Sequence, residues 1–278
     1  MEPRSKSFWW LTAFFALFVL FLYGPTVTIG ILSFQGPDGG LTFPMRGVST
    51  HWFHALFAQQ AVGDIWGAWR RSFVLGLMVM AVTVVVSVMA GLAFRKHFVG
   101  SGVLFYLAIA SLVIPSILVS LGVGLIFNEG GLPIHWATSA FGAQLTWTLP
   151  FGLLVMFAVF NRFDKRYEEA ARDQGATAWQ TVRHVILPII APPVIGVALF
   201  GFSLSYDEFA RTLLTAGSYN TLPLEIFGMT TNVTNPVIYA LGTLTTLFSF
   251  AIIAVFLGVV WALGLRRRRG GSDAGKSV

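Results

Sequence analysis

The chain has 278 residues, of which 55% are hydrophobic and 11% charged, and its mean hydropathy is +0.74. A water-soluble domain carries roughly 25% charged residues, so lipid must be the solvent for most of this surface. The absence of cysteine excludes disulfides, thiol catalysis and cysteine-ligated metals. A net charge of +6 would suit nucleic acid, but the placement of the charges decides against it.

Crossing a bilayer core takes about 20 apolar residues per helix. Residues 1–7 carry Arg4 and Lys6, and a first apolar run follows at about 8–34, with Gly24-Pro25 inside it. That run is longer than a signal-peptide core, and no small-residue cleavage site closes it, so it reads as an uncleaved span. The segment that follows contains His51-Trp52-Phe53-His54-Ala55-Leu56-Phe57, an amphipathic pattern suited to a helix at the membrane surface. Further spans are expected at about 72–94, 103–127 with Pro115 inside, 141–160 with Pro150 inside, 189–214 and 237–265. The expectation is an all-α integral membrane protein with six transmembrane helices in one domain over 8–265. A basic, disordered tail is expected over 266–278.

Topology follows from the cations. With the N-terminus inside, all of the 18 Lys and Arg residues except Arg46, Arg70, Arg71 and Arg211 fall on the cytoplasmic side. This agrees with the positive-inside rule and puts both termini and the 162–188 loop in the cytoplasm. The run Arg266-Arg267-Arg268-Arg269 then serves to anchor the last helix to anionic headgroups, and nucleic acid is not an expected partner.

The 162–188 loop is polar between two apolar runs. Arg162 to Gln174 lacks Gly and Pro and can form a short helix, which Gly175 would end in the left-handed conformation. Thr177-Ala178-Trp179-Gln180 has the form of a capping box, so a second helix can start at once. Pro188 is expected to mark the hand-over to the fifth span, because the residue before proline disfavours the α conformation. Ala170, Ala171 and Gly175 would admit a close protein surface, with Glu169 offering a charge that fixes register.

Within this loop Glu169-Ala170-Ala171, then Gly175 after three residues, then Val185, a spacer and Leu187-Pro188 follow one another at set intervals. The pattern resembles the cytoplasmic EAA loop of binding-protein-dependent ABC importer permeases, with Val185 in place of isoleucine. The resemblance continues through Ser205-Tyr206-Asp207-Glu208-Phe209 and Thr221-Leu222-Pro223-Leu224-Glu225-Ile226, which look like the C-type permease subunit of spermidine/putrescine importers. It covers roughly residues 65 to 265. Arg71 before Ser72, where such permeases often have asparagine, is a departure at the outer surface.

The resemblance implies a type I ABC importer permease fold in the bacterial inner (plasma) membrane, with the loop acting as a coupling helix. Glu169, Ala170, Ala171, Gly175, Leu187 and Pro188 would couple to the ATPase and perform no chemistry. The implied partners are a dimer of ATPase subunits, a second and non-identical permease subunit, and a periplasmic or extracellular solute-binding protein. ATP and Mg would be bound by the ATPase, leaving this chain without a cofactor and not itself an enzyme. The implied solute is a polyamine or a related compound, with opines and phosphonates as alternatives.

Asp207 and Glu208 fall inside the expected fifth span, where a carboxylate is costly and marks a functional site by default. They could attract a cationic solute along the pathway. Equally, Arg211 stands four and three residues on, so an ion pair on one helix face accounts for them. Gly270 to Ser277 matches a phosphate-binding loop in letters only, since an arginine run and not a strand precedes it. The five histidines do not make a metal set. An ion-coupled secondary transporter is the rival reading, and it should show acidic or broken helices repeated in two halves, which the sequence lacks.

Overall fold

In lipid an apolar segment can satisfy its backbone only internally, so long apolar runs become helices. The computed structural model describes residues 6–58, 63–96, 98–232 and 235–273. In chain order the helices are α1 (Lys6–Leu32), α2 (His51–Phe57), α3 (Ile65–Phe94), α4 (Ser101–Ala110), α5 (Ser116–Glu129) and α6 (Phe141–Asn161). They continue with α7 (Arg166–Asp173), α8 (Ala178–Thr181), α9 (Leu187–Tyr206), α10 (Leu222–Asn232) and α11 (Val237–Asp273). Two π-turns, Trp136–Ala140 and Val182–Ile186, lead into α6 and α9. Among the described residues the extended pairing is confined to one bridge, Gln35 with Val48.

The chain divides into two units, Met1–Asp64 with Ile226–Ala251, and Ile65–Glu225 with Ile252–Val278. In the first, α1 passes through Pro25 as one helix. The segment after it folds around buried Gln35, whose Oε1 accepts from Arg46 N–H at 2.7 Å and whose Nε2 donates to Gly40 O at 3.1 Å. α2 buries Trp52 and Leu56, four residues apart on one side, as its amphipathic pattern predicts. The Tyr239 hydroxyl, at the start of α11, donates to Leu41 O at 2.7 Å.

The core of the second unit is α3 packed on α6 and α9. Helices in lipid gain little from burying apolar area and associate through small residues and interhelical hydrogen bonds. α3 supplies such a stripe: Ala68, Ser72, Gly76, Thr83, Ser87 and Gly91 are all buried. A Cβ on Gly152 of α6 would run into Ser87 and Thr83, and one on Gly91 into Phe160 and Met156, so the helix backbones lie close. Thr83 Oγ1 donates to Thr148 Oγ1 at 3.0 Å, and Ser205 Oγ donates to Gln144 Oε1, linking α6 to α3 and α9. Met156, Phe160, Ile186, Ile190 and Val197 fill the apolar half of the contact.

Five of the described helices are long and apolar enough to cross a membrane, and the expected third span is not one of them. It is broken into α4 and α5, of 10 and 14 residues. Pro115, with ψ at 130°, cannot continue the ladder, and the chain turns at Ser111, whose Oγ lies 2.6 Å from Thr146 O on α6. The expected fifth span is displaced toward the N-terminus. Leu187 keeps helical angles, φ −57° and ψ −43°, so α8, the π-turn and α9 make one helix over Ala178–Tyr206 instead of handing over at Pro188. A π-turn carries one extra residue and loosens the ladder there, just ahead of the proline that lacks an N–H.

α11 runs to Asp273, so the tail expected to be disordered from 266 is helical to that point. Residues 274–278, which hold most of the phosphate-loop-like letters, lie outside the described residues, as do Arg4, His97 and Val233-Thr234.

Candidate functional site

The loop between α6 and α9 forms the helix–turn–helix that its residues predict, with a later start. The Asp164 carboxylate accepts from Arg166 N–H at 3.0 Å, and α7 begins there, not at Arg162. α7 ends in a Schellman motif. Ala176 N–H reaches Ala171 O at 3.0 Å and Gly175 N–H reaches Arg172 O at 2.8 Å, with Gly175 at φ 82°. Thr177 then opens α8 with both halves of the capping box. Its N–H donates to Gln180 Oε1 at 2.8 Å, and Gln180 N–H donates to Thr177 Oγ1 at 3.3 Å.

The two short helices leave a surface that the described residues do not cover. Glu169, Ala170 and Gly175 are exposed, and a side chain added at Gly175 would meet nothing within 4 Å. Tyr167 and Trp179 are 57% and 66% exposed, although tyrosine and tryptophan usually bury their rings. Leu187, by contrast, packs on the core cluster, and Pro188 is exposed at the start of α9. The six residues expected to act together therefore fall into two sets: four on the loop and two on the helix that leaves it.

The neighbouring Glu168, to which the pattern assigns nothing, makes the main tether. Arg95, just past α3, donates through Nη2 to Glu168 Oε1, and both side chains are only 14% exposed. The guanidinium carbon lies 5.2 Å from the Phe160 ring centre and 5.1 Å from that of Phe163. Arg172 Nη2 adds a looser contact with Glu168 at 3.9 Å. Arg95 and Glu168 are 73 residues apart, so only the position of Arg95 at a span's end could have drawn attention to the pair. The loop is thus clamped to α3 on one side and continuous with α9 on the other. The arrangement can transmit displacement to the packed α3–α6–α9 core.

Asp207 and Glu208 do not share an intramembrane helix with Arg211. α9 ends at Tyr206, and the following segment to Thr221 is built of turns that bury Glu208, Arg211, Thr212, Thr215 and Ala216. Glu208 and Arg211 are buried and paired at 3.5 Å, while Asp207 is exposed at the end of α9. Arg211 also donates to Ser116 Oγ at 2.8 Å and lies 4.7 Å from the Trp147 ring centre. Ser120 Oγ donates to Arg211 O and Ser139 Oγ to Thr215 O, which satisfies the irregular backbone. Gly217, at φ 70°, passes so close to Ile134 O that no side chain fits. The expected ion pair therefore exists for Glu208 alone and serves the structure of a turn.

Among the described residues no group of three or more His, Asp or Glu could hold a metal ion. Long apolar helices packed through small residues, with an exposed loop clamped to them, define a multi-pass membrane protein. The sequence profile of the binding-protein-dependent transport system inner membrane components matches residues 83–269, and the chain belongs to that family. It is an inner-membrane transport component of the ABC importer permease fold. It is 28% identical over 256 residues to the spermidine/putrescine transport system permease protein PotC of Haemophilus influenzae, covering 90% of this chain and 96% of that protein. It is 27% identical to the putrescine transport system permease protein PotI of Escherichia coli K12, covering 84% of this chain and 85% of that one.

Among solved structures, a bacterial ABC transporter that imports the acidic polysaccharide alginate matches with TM-score 0.67 at 17% identity, over 93% of this chain and 98% of that one. The MetNI methionine ABC transporter in an inward-facing form matches with TM-score 0.57 at 18% identity, over 76% of this chain and 97% of that one.

Proposed function

We propose that this chain is one of two non-identical permease subunits of an ATP-driven importer for a polyamine-like cation. The observation that carries the reading is the exposed α7–α8 unit, its turn fixed by a Schellman motif and a capping box, clamped to α3 and continuous with α9. Such a unit fits a groove in an ATPase subunit, with Glu169, Ala170, Ala171 and Gly175 at the contact and Leu187 and Pro188 passing motion into α9. Two ATPase subunits would hold ATP and Mg, and a solute-binding protein would deliver the cargo on the opposite face. The solute would cross between the two permeases by alternating access, in a six-span bundle whose third crossing is made by α4 and α5 together. Both termini and the loop would then face the cytoplasm.

The polyamine assignment is supported by the relatives and by the availability of a carboxylate. Asp207 is exposed beside the C-terminus of α9, where the helix dipole adds negative potential. Glu208 contributes to the pathway only through its hold on Arg211.

The test is to extract the tagged chain in mild detergent, identify what copurifies, and measure uptake in membrane vesicles. An ATPase and a second permease in stoichiometric amounts, with ATP-dependent uptake of labelled spermidine or putrescine, are expected. Uptake that follows an ion gradient and ignores ATP would replace this reading with a secondary transporter.

A further inference from the structure

The third crossing breaks part-way through the bilayer. α4 has 10 residues and rises about 15 Å, half of a hydrocarbon core of about 30 Å, before the chain turns over residues 111–115. Leu112 N–H and Val113 N–H bond back to Ile109 O and Ala110 O, at 2.9 and 3.1 Å. Among the described residues nothing donates to the carbonyls of Ser111, Leu112, Val113 and Ile114. At that depth lipid offers them no hydrogen bond.

Donors that lack acceptors stand at the two ends of the same break. Ser111 Oγ donates to Thr146 O on α6 at 2.6 Å, and Arg211 Nη1 donates to Ser116 Oγ at 2.8 Å. Trp147 follows Thr146 directly, and the Arg211 guanidinium carbon lies 4.7 Å from its ring centre. Trp147 Nε1 and Arg211 Nε are both shut off from solvent, and neither finds an acceptor among the described residues. Indole has a single donor, so the hydrogen-bonding capacity of Trp147 goes unused in this conformation.

The two halves of the crossing are not held alike. α5 is pinned, because Ser120 Oγ donates to Arg211 O and accepts from Leu214 N–H, each at 3.0 Å. A Cβ on Gly124 would come within 3.0 Å of Leu214 O, so α5 lies flush on the segment after α9. α4 buries no residue, and its Phe105 ring rests on Phe157 of α6 at 4.9 Å. The half that can shift is α4.

We propose that Trp147 and Arg211 are positioning residues of transport: in a second conformation α4 shifts, and carbonyls of the break accept from Trp147 Nε1 and Arg211 Nε. The inference rests on the alternating-access reading above. Phenylalanine at 147 keeps a ring for the guanidinium and lacks the N–H. That change takes no bond from this conformation and one bond from the other, so it moves the balance between them. A residue that only packs would not do so.

The test exploits a chain without cysteine. Spin labels on Val103→Cys of α4 and Ile126→Cys of α5, both exposed positions, read the distance between the two halves in the assembled importer in nanodiscs. Two distance populations are expected, in a ratio that changes when vanadate traps nucleotide on the ATPase. Trp147→Phe should move the ratio about tenfold toward the population that matches this structure. Uptake should fall while the ATPase still copurifies. Arg211→Lys, which keeps the charge and lacks Nε, should move the ratio the same way. Trp52→Phe is the control, since it removes another buried indole N–H without an acceptor, on α2, and should leave the ratio unchanged.

A single population under every condition overturns the proposal. So does an unchanged ratio in Trp147→Phe, the result expected if buried water satisfies both donors. A shift of equal size in Trp52→Phe also overturns it. If no ATPase assembles with the chain, the importer reading fails, and the Trp147→Phe comparison on the full chain alone still decides the latch.

Discussion

Removing the Glu168 carboxylate should both loosen the loop and uncouple it. In Glu168→Ala, Arg95 would keep its two phenyl neighbours but lose its anion at a site where both side chains are 14% exposed. Exposed ion pairs contribute about 0–1 kcal/mol, whereas stripping one partner from a buried pair costs about 3–5 kcal/mol. The remaining exposure and the two ring contacts, each about 0.5–1 kcal/mol, place this site between those limits, at about 2 kcal/mol. That corresponds to roughly 30-fold in an equilibrium constant.

A double-mutant cycle with Arg95→Met, read by thermal unfolding in nanodiscs, should therefore show a coupling energy of about 2 kcal/mol. The exposed face of α7 and α8 is untouched, so the ATPase should still copurify. ATP hydrolysis should continue while uptake falls. A coupling energy below about 0.5 kcal/mol, together with wild-type uptake in Glu168→Ala, would refute the clamp.

Gly175→Asp should leave insertion and the α3–α6–α9 core intact, because the position is open to solvent, while uptake falls to background; uptake at the wild-type rate would remove the loop from the mechanism. Gly152→Leu should force α6 from α3 at Ser87 and Thr83, costing about 1–3 kcal/mol by overpacking, and should show as a lowered melting temperature in nanodiscs. Asp207→Asn should raise the half-saturating concentration of a cationic solute several-fold without changing ATPase copurification. Unchanged affinity and maximal uptake there would drop the pathway role.

What could be read from the chain was what is encoded locally. Gly175, the Thr177–Gln180 box and the start of α11 at Val237 each depend on residues a few positions apart, and each is found as expected. Prolines were harder, because the same residue has three outcomes here. Pro25 and Pro150 lie inside continuous helices, Pro115 stands at the break just before α5, and Pro188 follows a π-turn that keeps the helix intact. Which outcome occurs depends on neighbours in space, such as the Ser111 contact with Thr146 across 35 residues. The end of α9 was illegible for the same reason. The expected span was carried on to Leu214 past Asp207, Glu208 and Arg211, whereas Ser120 and Ser139 bond the backbone of this segment from 91 and 76 residues away. Glu168 was passed over for Glu169 because its partner stands on another helix.

α3 has one more consequence. Its 30 residues form a single helix with no internal proline, held at one end by the Glu168 clamp. In the proposed importer the two faces then share one equilibrium, and thermodynamic linkage makes their influence reciprocal. The factor by which nucleotide on the ATPase changes the solute-binding protein's affinity must equal the factor by which that protein changes the affinity for nucleotide. Measuring either one supplies the other.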